Sequence, residues 1–328
     1  MDAHSISRRN VIRCTVAAAC AAALPLSLSA CAEERSYKAG MFIDGAIDDG
    51  GWGESCYNAL VSASEAHQWE HTYTQHVDKD DWEDAIGDLI DDGCTIIFAP
   101  GAQYAEAVDQ AAAEHEDIKF IVLNGDFERD NVENLVPNNA QIGQLAGALA
   151  GLISKTGVIG FIGGTGLEGT KEKVANYEAA ARAINANIQV VEDYADSFAD
   201  EERGYEIATE MVEQKNVDVL FGDASIVDAG ARRALYDLGR GMAIAQPNDA
   251  GSSYDQVIAG SVLTDNDMMM RNAFRDIESG SFGNKTVTGD ASTGGVGIGT
   301  LSDVLVEPFI QERYAGIADQ IAQGTFIG

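Results

Sequence analysis

Two aromatic residues stand where an apolar strand would pass into a helix: Trp52 in Asp48-Asp49-Gly50-Gly51-Trp52, and Phe198 in Tyr194-Ala195-Asp196-Ser197-Phe198-Ala199-Asp200. Facing each other across a cleft, they would sandwich a flat ring or the apolar face of a sugar. Stacking on a nucleobase contributes ~1–3 kcal/mol per base. Polar residues occupy comparable strand ends: Asp44, Gly101, Asn124 with Asp126, Gly163-Gly164, Asp223 and Asp249. Asp, Asn and Gly also follow strands simply as helix caps and turns. As a set, however, they describe a polar cleft whose carboxylates would accept charge-assisted bonds from ligand hydroxyls.

The same residues do not assemble into catalytic machinery. Gly160-Phe161-Ile162-Gly163-Gly164-Thr165-Gly166 lacks the ordered GxGxxG of a dinucleotide site. Gly294-Gly295-Val296-Gly297-Ile298-Gly299 lacks the Lys-Ser/Thr of a phosphate loop, and a tight backbone crossing is the simpler expectation. There is no GxSxG nucleophile elbow, and Asp48-Asp49 has no evident acid partner for glycoside hydrolysis. The five histidines form no HExxH, and no cysteine pair has metal-ligand spacing. The expectation is a binding protein that is not an enzyme, with no cofactor and no metal.

The elements that would position the cleft follow a regular alternation. Lys38–Ile43, His71–Val77, Thr95–Ala99 and Ile118–Leu123 read as strands, separated by helices. One helix carries Cys56, Ala59, Leu60 and Ala63 on a single face. A second, with Asp80 as its expected cap, carries Trp82, Ala85, Ile86, Leu89 and Ile90, and a third runs through Tyr104, Ala107, Val108 and Ala111. The pattern restarts with a helix near Asn139–Ile153. Strands at Gly157–Ile162, Ile188–Val191, Val217–Phe221 and Met242–Ala245 alternate with helices around Glu172–Ala183, Glu201–Gln214 and Val227–Leu238. Short apolar strands between amphipathic helices indicate βαβ units and parallel sheets. The fold class expected is α/β, with two doubly wound parallel-sheet lobes joined by several hinge crossings. Val257–Leu263, Met268–Ile277 and Gly294–Gly299 would return to complete both sheets, so the lobes are placed at 31–136 plus 250–288 and at 137–249 plus 289–328. In open parallel sheets ligands bind outside the carboxyl ends of the strands, which is where the candidate residues lie.

Residues 1–30 read as an export signal. Ser7-Arg8-Arg9-Asn10-Val11-Ile12-Arg13 precedes an apolar run from Thr15 to Ala30, interrupted by Pro25, that is too short for a good membrane span. The arginine pair suits twin-arginine export. The run ends in Leu28-Ser29-Ala30-Cys31, which resembles a lipoprotein box and makes Cys31 the expected lipidation site. An ordinary signal peptide with an incidental cysteine is the alternative. Removing these residues, with three arginines and one aspartate, takes the net charge from −32 to −34. Such a surface repels nucleic acid, so no nucleic-acid partner is expected. Beyond Cys31 only Cys56 and Cys94 remain, either as a disulfide or as two buried thiols.

Taken in order, Gly45–Gly53, Gln144-Leu145-Ala146-Gly147, Gly160–Gly164, Ser197–Gly204 and Gly294–Gly297 resemble the BMP family (basic membrane lipoprotein, PnrA-like) of ABC-transporter substrate-binding proteins, over nearly all of 36–328. The resemblance implies a periplasmic-binding-protein type I fold and, since members bind purine nucleosides, a nucleoside-like ligand. It implies that Asp49 accepts from the base, Trp52 and Phe198 stack on it and Asp249 holds ribose hydroxyls. Asn124 and Asp126 would line the first lobe, and Asp223 with Ser225 would face them. With Asp44 and Tyr104, these make up the expected ligand-binding set. The implied partners are the small molecule, an ABC permease and, through the lipid, the extracytoplasmic face of the cell membrane. A sensory binding protein feeding a membrane signalling receptor is the alternative. The chain departs from the family pattern in three places, one of them the absence of the family's Arg-Phe before its Gly-Phe, with Lys171, Glu172 and Lys173 nearby. Ser225-Ile226-Val227-Asp228-Ala229-Gly230 replaces a glycine-rich loop, and Leu263-Thr264-Asp265-Asn266-Asp267 lacks a lysine.

Overall fold

A computed structural model describes residues 37–249 and 255–327. The first run of elements is β1 (Lys38–Phe42), α1 (Trp52–His67), β2 (Glu70–Thr74), α2 (Trp82–Asp91), β3 (Ile96–Ala99), α3 (Ala105–Glu114), β4 (Lys119–Leu123) and β5 (Val132–Pro137). The chain then crosses into α4 (Asn139–Ile153), β6 (Val158–Gly163), α5 (Glu168–Ile184), β7 (Gln189–Tyr194), α6 (Glu201–Gln214), β8 (Val219–Asp223), α7 (Ile226–Leu238), β9 (Met242–Ala245) and β10 (Ile258–Thr264). It returns through α8 (Asn266–Ser279) and β11 (Lys285–Gly289), and ends with β12 (Val296–Leu301) and α9 (Pro308–Ala322).

These elements build two six-stranded sheets, ordered β11-β5-β4-β3-β1-β2 and β12-β10-β9-β8-β6-β7. Every pairing is parallel except β10 with β12. The expected two-lobe parallel α/β architecture is therefore present. Parallel strands are covered on both faces, which is why β3 and β4 read as unbroken apolar runs. Each sheet separates two cores, and Cys56 and Cys94 belong to clusters on opposite faces of the first sheet. They are buried free thiols and form no disulfide. On α4, Gly143 and Gly147 let the helix close on α5: an added Cβ would lie 2.3 Å from the Lys173 carbonyl oxygen and 2.2 Å from that of Tyr177.

The lobe boundary expected at 250 is corrected by the topology. β10 hydrogen-bonds to β9 and β12, so it belongs to the second sheet. The returning segment of the first lobe begins after Thr264, with α8 packing on α1 and β11 pairing with β5. The expected Asp80 cap is also corrected. A single turn of 3₁₀ helix over Lys79–Asp81 leads into α2, which has no side-chain cap. The glycine-rich segment at 294–299 does mark a tight crossing, since a Cβ on Gly295 would lie 2.5 Å from the Gly289 Cα. Residues 1–36, with the expected export signal and Cys31, lie outside the described residues, and among the described residues no helix is long and apolar enough to cross a membrane.

Candidate functional site

The carboxyl ends of both sheets meet at one place. Ser225 Oγ, at the end of β8, donates to Asp49 Oδ2 at 2.8 Å, and Asn248 Nδ2, after β9, donates to the Gly51 carbonyl at 3.1 Å. These bonds join the second lobe to the turn that opens α1 in the first. Outside the strand ends, where the cleft is expected, the two lobes are hydrogen-bonded to each other.

On the first lobe, neutral donors hold the carboxylates. Asp49 accepts the backbone N–H groups of Gly51 (2.8 Å), Gly53 (3.0 Å) and Glu54 (3.0 Å), all of which are left open at the start of a helix. With Ser225 the carboxylate makes four hydrogen bonds, which fills its acceptor capacity. The role that family resemblance implies for Asp49, accepting from a base, is therefore taken here by this chain's own donors. Tyr104 lies in the core rather than on the cleft wall. Its ring is fully buried, it packs edge-on against Phe42 and Trp82, and its hydroxyl donates to Asp44 Oδ1 at 2.7 Å. Tyr104 acts through Asp44, whose own side chain is exposed. Burial, with the Asp44 charge beside it, pushes the Tyr104 phenol above its ordinary pKa. Trp52 is half-buried, its Nε1 donating to the Pro100 carbonyl at 2.6 Å, which turns the indole's polar edge towards the end of β3. Asn124 (φ 58) follows β4, with its Oδ1 buried and unpaired, and Asp126 is exposed two residues on.

On the second lobe an ammonium does the same work. Lys173 Nζ bonds Asp223 Oδ1 at 2.6 Å, Gln246 Nε2 reaches the same oxygen at 3.1 Å, and Thr170 Oγ1 donates to Oδ2 at 2.6 Å. Burial alone would raise the Asp223 pKa, but the Lys173 charge and these hydrogen bonds outweigh it and hold the carboxyl below its ordinary range. Asp228 accepts from the Ala224 N–H at 3.1 Å, and burial, only partly offset by Arg232, pushes it up to about 7. Phe198 lies over Gly164, where a Cβ would come within 2.3 Å of its Cε1. Trp52 and Phe198 make no ring contact with each other. Asp249 accepts from the Thr300 N–H (2.7 Å) and hydroxyl (2.6 Å) of β12, an approach that requires Gly299, whose Cβ would lie 2.4 Å from Asp249 Oδ1.

Sequence reasoning missed Lys173, Thr170, Gln246 and Asn248. The spacing of Thr170 and Lys173, three apart on α5, was the available signal that both face Asp223. Among the described residues no cluster of His, Cys, Asp and Glu could hold a metal ion.

Two mostly parallel sheets that meet through their strand ends, crossed three times by the chain, define a bilobal solute-binding protein. The chain belongs to the Bmp family, ABC transporter substrate-binding protein PnrA-like, which it matches over residues 36–323. Basic membrane protein A of Borreliella burgdorferi is 31% identical over 208 residues, 62% of this chain and 61% of that protein. Transcriptional activator protein med of Bacillus subtilis is 25% identical over 289 residues, 85% of this chain and 86% of that protein. The chain thus spans about three fifths of the length of the Borreliella relative. An ABC transporter solute-binding protein from Aeropyrum pernix K1 superposes with a TM-score of 0.73 at 18% identity, covering 88% of this chain and 81% of that one. The transcriptional activator of the comK gene from Bacillus halodurans gives 0.73 at 19% identity, covering 88% and 99%. At these identities the two structures establish the type I periplasmic-binding-protein fold.

Proposed function

We propose that this chain is the extracytoplasmic, lipid-anchored receptor of an ABC importer and that it closes on a purine nucleoside or a related polar small molecule. The observation that carries this reading is the meeting of the two strand-end rims, each bearing one half-buried aromatic and exposed or half-buried carboxylates. The flat ring sits between Trp52 and Phe198. Hydroxyls of the ligand are accepted by Asp44, Asp126 and Asp249, with Asn124 beside them. Tyr104, Asp49, Asp223 and Ser225 hold this frame in place.

Calorimetry with inosine, guanosine, adenosine and ribose tests the reading. Trp52→Ala and Asp249→Ala should each weaken nucleoside binding by ~1.5–3 kcal/mol, roughly ten- to a hundredfold. Nucleoside binding indifferent to both substitutions refutes the site, and tight binding of another class alone refutes the ligand. The anchor is tested separately: Cys31→Ser should move the protein from the membrane fraction to the soluble one. A sensing role feeding a membrane receptor is the second reading, kept because a relative matching 85% of this chain is named a transcriptional activator, a regulatory rather than a transport role. Loss of nucleoside uptake on deleting the gene supports transport, whereas unchanged uptake with altered gene expression supports sensing.

A further inference from the structure

Ser225 is held in an unusual conformation. Its φ of 53 and ψ of −116 place it where residues with a Cβ are seldom found. Such a position costs of order 1–3 kcal/mol and persists only where surroundings impose it. The hydroxyl that this backbone carries reaches the other lobe and takes the remaining acceptor position on Asp49. The backbone amides of Gly51, Gly53 and Glu54 at the start of α1 fill the others, so the interlobe bond and the capping of α1 share one carboxylate. Asn248 adds a second bond to the same turn, on Gly51. The Val227 N–H and Asp228 N–H close back onto Ala224 and Ser225, and the Ile226 N–H onto the Phe198 carbonyl, so the turn carrying Ser225 is anchored within its own lobe.

We propose that Ser225 and Asp49, seconded by Asn248, form a built-in latch that closes the two lobes without ligand. A glycine at this position would occupy the backbone conformation without strain but could not donate. The serine accepts the strain and gains a charge-assisted bond across the seam, made only when the lobes are shut. The closed state is therefore populated in the empty protein, and a ligand enters through transient openings that break this bond.

The test uses the ligand-free full chain, so it stands apart from the identity of the ligand and from the transport reading. Spin labels at Glu70→Cys and Gln189→Cys sit on exposed first residues of β2 and β7, the sheet edges farthest in strand order from the crossings. Pulsed electron resonance then reads the open-to-closed ratio. Ser225→Ala should raise that ratio about tenfold, the equivalent of one charge-assisted hydrogen bond. Ser225→Gly should raise it as much while preserving or increasing the melting temperature, because it also removes the strain. Asn248→Ala should give a smaller shift in the same direction. An unchanged distance distribution in Ser225→Ala overturns the latch. So does opening in the glycine variant alone, which would assign the effect to backbone freedom instead of the hydroxyl.

Discussion

The two rims of the cleft solve one electrostatic problem in different ways. In the first lobe, Asp44 and Asp49 are held by a phenol and by backbone amides, which orient a carboxylate without cancelling its charge. In the second, Asp223 sits against an ammonium, with a hydroxyl and an amide completing its shell. The first rim therefore keeps the charge of its carboxylates, exposed at Asp44, while on the second Asp223 forms a neutralised pair built for rigidity. Neutral donors suffice where water still reaches the carboxylates, as at exposed Asp44. The pair is needed where burial works against the charged form, as at Asp223.

The sharpest way to break this contrast is Lys173→Met. It leaves the half-buried Asp223 without its counter-charge and should lower stability by ~2–3 kcal/mol, measured by denaturant unfolding at neutral pH. If the loss is below ~1 kcal/mol, the two rims do not differ in this way.

A fully buried carboxylate extends the comparison into the first lobe. Glu133 on β5 is fully buried, and burial pushes it up to about 7 despite Lys285 Nζ at 3.4 Å, which is shared with Asp276. Because its folded pKa lies above its unfolded one, its favourable contribution is complete at low pH. It is lost as pH rises from about 4.5 through about 7. Glu133→Gln should remove up to ~3 kcal/mol of that pH dependence, seen as a flatter curve of unfolding free energy against pH. An unchanged slope would place the titration elsewhere.

Gly164→Ala probes the aromatic wall. The added methyl must displace the Phe198 ring, and the expected outcome is a nucleoside affinity weaker by ~1–3 kcal/mol with the melting temperature little changed. The smallest effect belongs to Tyr104→Phe. Removing one hydroxyl from Asp44 should cost ~1 kcal/mol of stability, the ordinary scale for a single hydrogen bond. A loss as large as that of Lys173→Met would show that the first rim depends on its donors as much as the second.

The order of strands and helices was readable because parallel strands buried on both faces are continuous apolar runs. β5 is hard to read because Val132-Glu133-Asn134-Leu135-Val136-Pro137 has polar residues inside a buried strand, and β11, Lys285-Thr286-Val287-Thr288-Gly289, offers a single large apolar residue and two exposed threonines. α9 follows an exposed Val304 and carries Phe309 mostly exposed, which blurs its apolar stripe. The assignment of β10 to the wrong lobe has a plain cause: a strand between two crossings carries no local mark of the sheet it will join. Candidate positions at strand ends were legible from topology. Their partners were not, since Ser225 on Asp49 lies 176 residues away along the chain and Lys173 on Asp223 lies 50.

The three crossings between the lobes are also bonded to one another. The Asn138 N–H reaches the Gly289 carbonyl at 2.8 Å, and the Asp265 N–H reaches that of Gly295 at 3.0 Å, beside the close contact of Gly289 with Gly295. Side-by-side strips tied along their edges behave as a leaf spring, compliant to bending across the strips and stiff to shear or twist. Opening can then store elastic energy in the connectors without rupturing their cross-links. The lobes would swing back along one reproducible path and register the same rim residues on each return.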